Sequence, residues 1–308
     1  MRKNLHSPLY IKNEEINKEK WDACISNAGN GLIYAYSFYL DNMCRQWDAL
    51  VLDDYQVVMP LPFNKKYQIE YLYQPYFTAS LGIFGNNIKH TTVQAFLENV
   101  PAKFKYWDIY LNRGNFFSIS NFELYERNNY VLRLNHNYES TRDNFSENHV
   151  RNIKKAVRKG LYLEKNIDAR KVIGLAKKQT RSFSGVKNKD FLNFYLLCQH
   201  LAGLNKATTY GVFDPSGELL SSAIFFFSNK RIYFILGANI PQSKNTGSSH
   251  FLMNEVIREF SGKPLLLDFE GSDIKSIARF YEGFGATPEK YPGLRVNRLP
   301  RLIKLFKK

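Results

Sequence analysis

Asp268 and Glu270 end the apolar run Leu265-Leu-Leu-Asp-Phe-Glu270. Residues two apart at the end of a strand project from one face, so the two carboxylates are expected to lie side by side. Neighbouring acids push one pKa upward, toward the range of a general base that takes a proton from an attacking amine. The competing reading is that Asp268 caps or orients the neighbouring helix. Two further groups of residues suit an anion. Lys244-Asn-Thr-Gly247-Ser248-Ser249 precedes a helical pattern; its glycine lets the backbone approach a phosphate, and a helix N-terminus favours negative charge. A Gly/Ser-rich surface loop would look the same. Arg151, Lys154, Lys155, Arg158 and Lys159 recur at i, i+3, i+4, i+7 and i+8, with Val150, Ile153 and Val157 on another face. Five cations without an intervening acid repel one another, so this stripe reads equally as a solvated surface and as an anion site.

Charge supports an anionic partner for the second half of the chain. Of 43 Lys+Arg and 28 Asp+Glu, residues 1–144 hold 15 of each, leaving 28 and 13 for residues 145–308. The whole +15 excess therefore lies in the C-terminal part, which suits a phosphorylated cofactor, a nucleic acid or an anionic membrane. Three cysteines and six histidines are scattered without the close pairing of a metal site, so no metal is expected. No apolar run approaches the length of a membrane span, and a cytoplasmic protein is expected. At 308 residues, two domains are expected.

The elements that must hold these groups follow from periodicity. Strand patterns at 208–214, 219–228 and 231–239 form an antiparallel meander. A helix over 250–260 and a short buried strand at 265–270 follow, and then a helix that Ser272 or Asp273 caps and Gly285 stops. Residues 18–27 and 36–46 read as helices, followed by three strand-like runs over 48–75, a helix at 92–99 and a strand at 106–111. One mixed α/β plan thus occurs twice, with the boundary in the polar stretch 135–144.

The second copy resembles the GNAT acyltransferases. Lys244 to Ser249 stands where that family carries Gln/Arg-x-x-Gly-x-Gly/Ala, with lysine in place of Gln/Arg. Ala278-Arg-Phe-Tyr281-Glu-Gly-Phe284-Gly285 is similar to the family's Ala-x-x-Leu-Tyr-Glu-x-x-Gly-Phe segment. Arg151-Asn-Ile153-Lys154-Lys155-Ala156 and Asp268-Phe269-Glu270-Gly271 resemble the Arg-x-Ile-x-Lys-Ala and Asp-Phe-x-Gly segments of the Fem-type subgroup. The resemblance implies a mixed α/β fold with two tandem GNAT-like domains: 1–140, degenerate, and 141–308, carrying the acyl-donor site. It implies acyl-CoA as donor substrate, its pyrophosphate held by Lys244, Gly247, Ser248 and Ser249. It also implies a carbonyl polarised at Gly237, Ala238 and Asn239, and Tyr281 protonating the departing thiolate. By residues alone, Tyr281 serves equally as a core residue of an amphipathic helix.

The expected function is acyl-CoA-dependent N-acyl transfer to an amine of a cell-envelope or surface-polysaccharide precursor, with Asp268 or Glu270 as base and Arg151, Lys154, Lys155 and Arg158 as the anion site. Fem-type transfer from aminoacyl-tRNA to a peptidoglycan precursor is the first alternative, with tRNA as partner. A non-enzymatic anion-binding module is the second. The basic, apolar tail from Arg298 is expected to dock on the second domain or touch a membrane, and no stable DNA complex is expected.

Overall fold

The computed structural model describes residues 7–119, 121–180, 185–271 and 273–300. Ser272, one of the expected helix caps, and the tail beyond residue 300 lie outside the described residues. Contacts group the chain into two compact units, Met1–Arg127 with Lys290–Lys308, and Asn128–Glu289. This division differs from one at residue 140.

In the first unit β1 (Leu9–Ile11), α1 (Lys18–Asn27) and α2 (Ser37–Met43) precede β2 (Gln46–Leu52), β3 (Val57–Lys66) and β4 (Ile69–Tyr73). The short β5 (Phe84–Gly85), α3 (His90–Glu98) and β6 (Phe104–Tyr110) follow. β2, β3 and β4 pair as an antiparallel meander, and β6 joins β4 in parallel. The core behind them holds fully buried Phe96, Phe104 and Trp107.

The second unit begins inside β7 (Leu124–Arg133), continues through α4 (Tyr138–Arg142), α5 (Glu147–Arg158), β8 (Tyr162–Lys165), α6 (Ala169–Thr180) and α7 (Asn188–Gly203), and then repeats the plan. Here the meander is β9 (Ala207–Phe213), β10 (Leu219–Ser228) and β11 (Arg231–Asn239). α8 (Ser248–Phe260), β12 (Leu266–Gly271), α9 (Lys275–Glu282) and β13 (Thr287–Asn297) complete the element order. The strand order is β7-β12-β11-β10-β9-β8, with β12 parallel to β11 and antiparallel to β7. Leu267, Asp268 and Phe269 are buried in succession, so both faces of β12 are covered, which explains why its sequence is a near-continuous apolar run rather than an alternating one. The C-terminal half of β13 returns to the first unit and pairs with β6. Arg298, at the start of the tail, stacks over Trp107 at 5.0 Å, and Leu299 is buried, so the described part of the tail packs within the first unit rather than on the second.

Two expectations for this region change. The polar stretch 135–144 contains α4, capped by the Asn137 side chain on the Ser140 amide. α9 has Ile274 at its N-cap with no side-chain cap, while Asp273 accepts a bond from the Asn128 amide at 3.5 Å. The core of the second unit centres on Tyr210, Phe225, Val256, Ile257, Leu267 and Phe284, all fully buried. Phe225 stacks on Phe234 with centroids 5.3 Å apart and meets Tyr210 edge-on at 5.6 Å. Phe225→Ala should therefore lower unfolding free energy by about 3–5 kcal/mol, measured by urea denaturation; a loss under about 1 kcal/mol would contradict this packing.

Candidate functional site

β11 and β12 pair only at Arg231–Leu266, Ile232–Leu267 and Tyr233–Asp268. Beyond Tyr233 no further residue of β11 pairs with β12 among the described residues. On the β10 side lies a bulge: Ile224 pairs with Leu236 and Phe225 with Phe234, so Ile235 has no partner on β10. Gly237, Ala238 and Asn239 stay paired to Ala223, Ser222 and Ser221 of β10. Gly237 is exposed, and a Cβ there would come within 2.5 Å of the Phe234 ring, so only glycine leaves that ring its place. The Asn239 amide donates to the Gln179 side chain at 3.2 Å.

The two acids of β12 and Tyr281, which stacks on Phe269, sit in unequal settings. Asp268 is 4% exposed. Its Oδ2 accepts from Arg231 at 2.6 Å, and its Oδ1 accepts from the Asn129 side chain at 2.9 Å and the Glu270 amide at 3.0 Å. Arg231 also reaches Glu289 at 3.2 Å, and these two carboxylates hold its guanidinium more firmly protonated despite burial. Asp268 is therefore one corner of a buried ion cluster. Glu270 is half-buried with φ 63°, inside a bulge where three steps of β12 face two of β7. That bulge breaks the two-residue alternation that would align the carboxylates. Tyr281 is 8% exposed, stacked on Phe269 at 4.6 Å and tilted against Tyr130 at 6.0 Å. Burial, then the negative charges of Glu270 and Asp268, push its phenol pKa upward, so the hydroxyl keeps its proton at neutral pH. Among the described residues that hydroxyl has no hydrogen-bond partner.

Gly247 is the N-cap of α8, with φ 81°. A Cβ on it would lie 2.3 Å from the carbonyl oxygen of Asn152 in α5, so the glycine permits close approach of protein backbone. Ser248 is fully buried and shares a hydrogen bond with Ser221 at 2.6 Å; the Ser249 hydroxyl donates to Asn239 at 2.8 Å. Lys244 is exposed on the preceding 3-10 turn, Pro241–Asn245.

α5 is fixed at its other end by His149. Its Nε2 lies 2.8 Å from the Phe280 carbonyl, which can only accept, so this nitrogen carries the proton and Nδ1 accepts from Ser146 at 2.8 Å. A Cβ on Gly283 would fall 2.0 Å from the ring, and the His250 ring packs at 4.6 Å. Burial lowers the pKa of both histidines; for His250, with the nearby charge of His149 as second cause, to about 4. Spacing gave no signal for this pair, because their partners lie far apart in the chain.

The cationic stripe is divided. Arg151, Lys154 and Arg158 line an open cavity of about 860 Å³ bounded by α4, α5 and Arg258 of α8, and Lys155 is not among its lining residues. His149, Ile153 and Ala156 form the buried face of α5, and Val157, expected on the apolar face, is 59% exposed in the cavity.

No family model and no curated protein matches this sequence. Solved structures match it along nearly its whole length. FemX is 13% identical with a TM-score of 0.66, over 95% of this chain and 99% of FemX. The fold is Fem-type. L-PGS from Bacillus licheniformis (11% identity, TM-score 0.55) and the C-terminal domain of a putative lysylphosphatidylglycerol synthetase from Agrobacterium fabrum (9%, 0.56) are also similar, each over 94% of both chains. Among the described residues no helix is long and apolar enough to cross a membrane, and no group of His, Cys, Asp or Glu could hold a metal.

Two outcomes test the site's electrostatics. Asp268→Ala leaves Arg231 with Glu289 alone, and should cost about 3–5 kcal/mol by chemical denaturation; a near-neutral result would contradict the ion cluster. Unfolded histidine titrates near 6.5, so the folded chain binds fewer protons between pH 6.5 and 4. The contribution of neutral His250 is full above pH 6.5 and is lost as pH falls toward 4. His250→Phe should reduce the stability loss between pH 6.5 and 5 by about 2 kcal/mol; an unchanged slope would refute this.

Proposed function

We propose that this protein is a Fem-type transferase that moves an aminoacyl group from an ester donor, as on the 3′ end of tRNA, to an amine. The packing of α5 carries the reading. The Asn152 carbonyl rests against Gly247 and the hydroxyls of Ser248 and Ser249 are turned to Ser221 and Asn239, so the groups that would cradle a CoA pyrophosphate are already engaged. The likeness to FemX along both units supports the same choice over an acyl-CoA enzyme.

In this mechanism the amine nitrogen forms a bond to the ester carbonyl carbon. Amides on the open edge of β11 beyond Tyr233 stabilise the oxyanion. The ester C–O bond then breaks, and the departing ribose oxygen takes the Tyr281 proton. Tyr281 suits that role because it holds its proton and its hydroxyl has no other partner among the described residues. Glu270, or a water it holds, takes the proton lost by the amine and returns one to Tyr281. Asp268 is engaged by Arg231 and acts by holding the strand end.

Purified protein should retain tRNA in a complex that weakens with salt, transfer a labelled amino acid to an amine acceptor, and show no rise in Tm with millimolar acetyl-CoA. Tyr281→Phe should lower the transfer rate by about 10²–10⁴-fold with Tm unchanged. A Tm rise with acetyl-CoA and no retained tRNA would return the acyl-CoA reading. Full activity in Tyr281→Phe would remove the tyrosine from the mechanism.

A further inference from the structure

The cavity along α5 combines two properties that a simple polyanion surface does not need. Its rim is mainly cationic, with five Arg or Lys side chains against the single acid Glu147. Arg142, Lys154 and Arg158 have no acidic partner among the described residues, and Arg151 bonds only the neutral Asn148 side chain, at 2.8 Å. Its floor is apolar: Val150 and Val157 lie two turns apart, about 10 Å along the helix, with Val157 open to solvent. α5 is therefore amphipathic twice, with one face in the core and a second, valine-bearing face between unpaired cations.

We propose that this groove is a docking site for the anionic phospholipid surface of a bilayer. Arginine forks match phosphodiester oxygens, and the valines enter the boundary between headgroup and acyl chain. Charge complementarity favours this occupant, because every cation of the +15 excess lies in the half of the chain that carries α5. RNA offers the phosphates but would cover Val157 with polar backbone and gain nothing from it. The Arg258 guanidinium, stacked over Tyr138 at 4.5 Å and paired with Glu255 at 2.9 Å, forms a preset wall of the groove rather than a mobile contact.

The test is co-sedimentation of the full chain with vesicles of 30% phosphatidylglycerol in phosphatidylcholine and with pure phosphatidylcholine vesicles. Binding should need the anionic lipid and weaken with salt. Arg151→Glu with Lys154→Glu and Arg158→Glu should reduce partitioning by about a hundredfold or more. Val157→Asp should reduce it at least about fivefold, with Tm unchanged in both variants. Absence of binding to phosphatidylglycerol vesicles would overturn the proposal, as would equal binding to phosphatidylcholine. Two further results would also overturn it: a Val157→Asp variant that binds like the parent, marking a plain polyanion or RNA surface, and release by millimolar inorganic phosphate, marking a soluble-phosphate site. Loss of tRNA retention in Val157→Asp would count against it too, while the aminoacyl-transfer reading would survive any of these vesicle results.

Discussion

The docking of α5 across the N-terminus of α8 and the end of α9 is the contact on which the rest of the second unit depends. It is made possible by two missing side chains. Gly247 lets the Asn152 carbonyl approach within what would be Cβ contact, and Gly283 leaves the space that the His149 ring fills. His149 then ties Ser146 to the Phe280 carbonyl, and the Ser146 amide itself donates to Gly283. A helix held this tightly by buried neutral imidazole and backbone hydrogen bonds is a fixed wall. One of its faces closes the space at the start of α8, and another presents the cationic groove.

Around that wall the site separates into parts with different work. The Arg231–Asp268–Glu289 cluster spans the paired segment of β11 and β12, from Arg231 in its first pair to Asp268 in its last. A buried ion cluster placed so favours one register, because a slip would strand a charge away from water. Tyr281, stacked on Phe269, retains its proton, and Glu270 lies half-buried in a bulge near the end of β12. In the proposed transfer, acid and base roles are therefore set by environment rather than by residue type.

Much of this was legible in the chain. The meander over 208–239 and the parallel placement of Leu266–Gly271 followed from alternation and from an unbroken apolar run, and the repeated plan followed from the same patterns in the first unit. The cationic residues of α5 were visible, but their division was not. Helical spacing alone cannot tell which side a neighbouring element will cover, and Val157 went to solvent because Ile153, Ala156 and His149 filled the buried face. The glycine of the Lys244–Ser249 loop was expected to let backbone approach a phosphate; in the fold it admits the Asn152 carbonyl instead. What approaches it, a carbonyl more than ninety positions earlier, depends on long-range packing that no local pattern carries. The same holds for Asp268, whose partner Arg231 begins a different strand, and for the bulge that separates Asp268 from Glu270.

The most direct measurement is hydrogen–deuterium exchange across residues 231–239, 244–260 and 147–158, compared for the protein alone, with saturating acetyl-CoA and with a tRNA acceptor-stem minihelix. A fixed α5 predicts slow exchange in the latter two segments without ligand and no change with acetyl-CoA, while the minihelix protects the amides of β11 beyond Tyr233. Strong protection of the first turn of α8 by acetyl-CoA, accompanied by faster exchange in α5, would show that the helix yields its place to a pyrophosphate and would contradict the account.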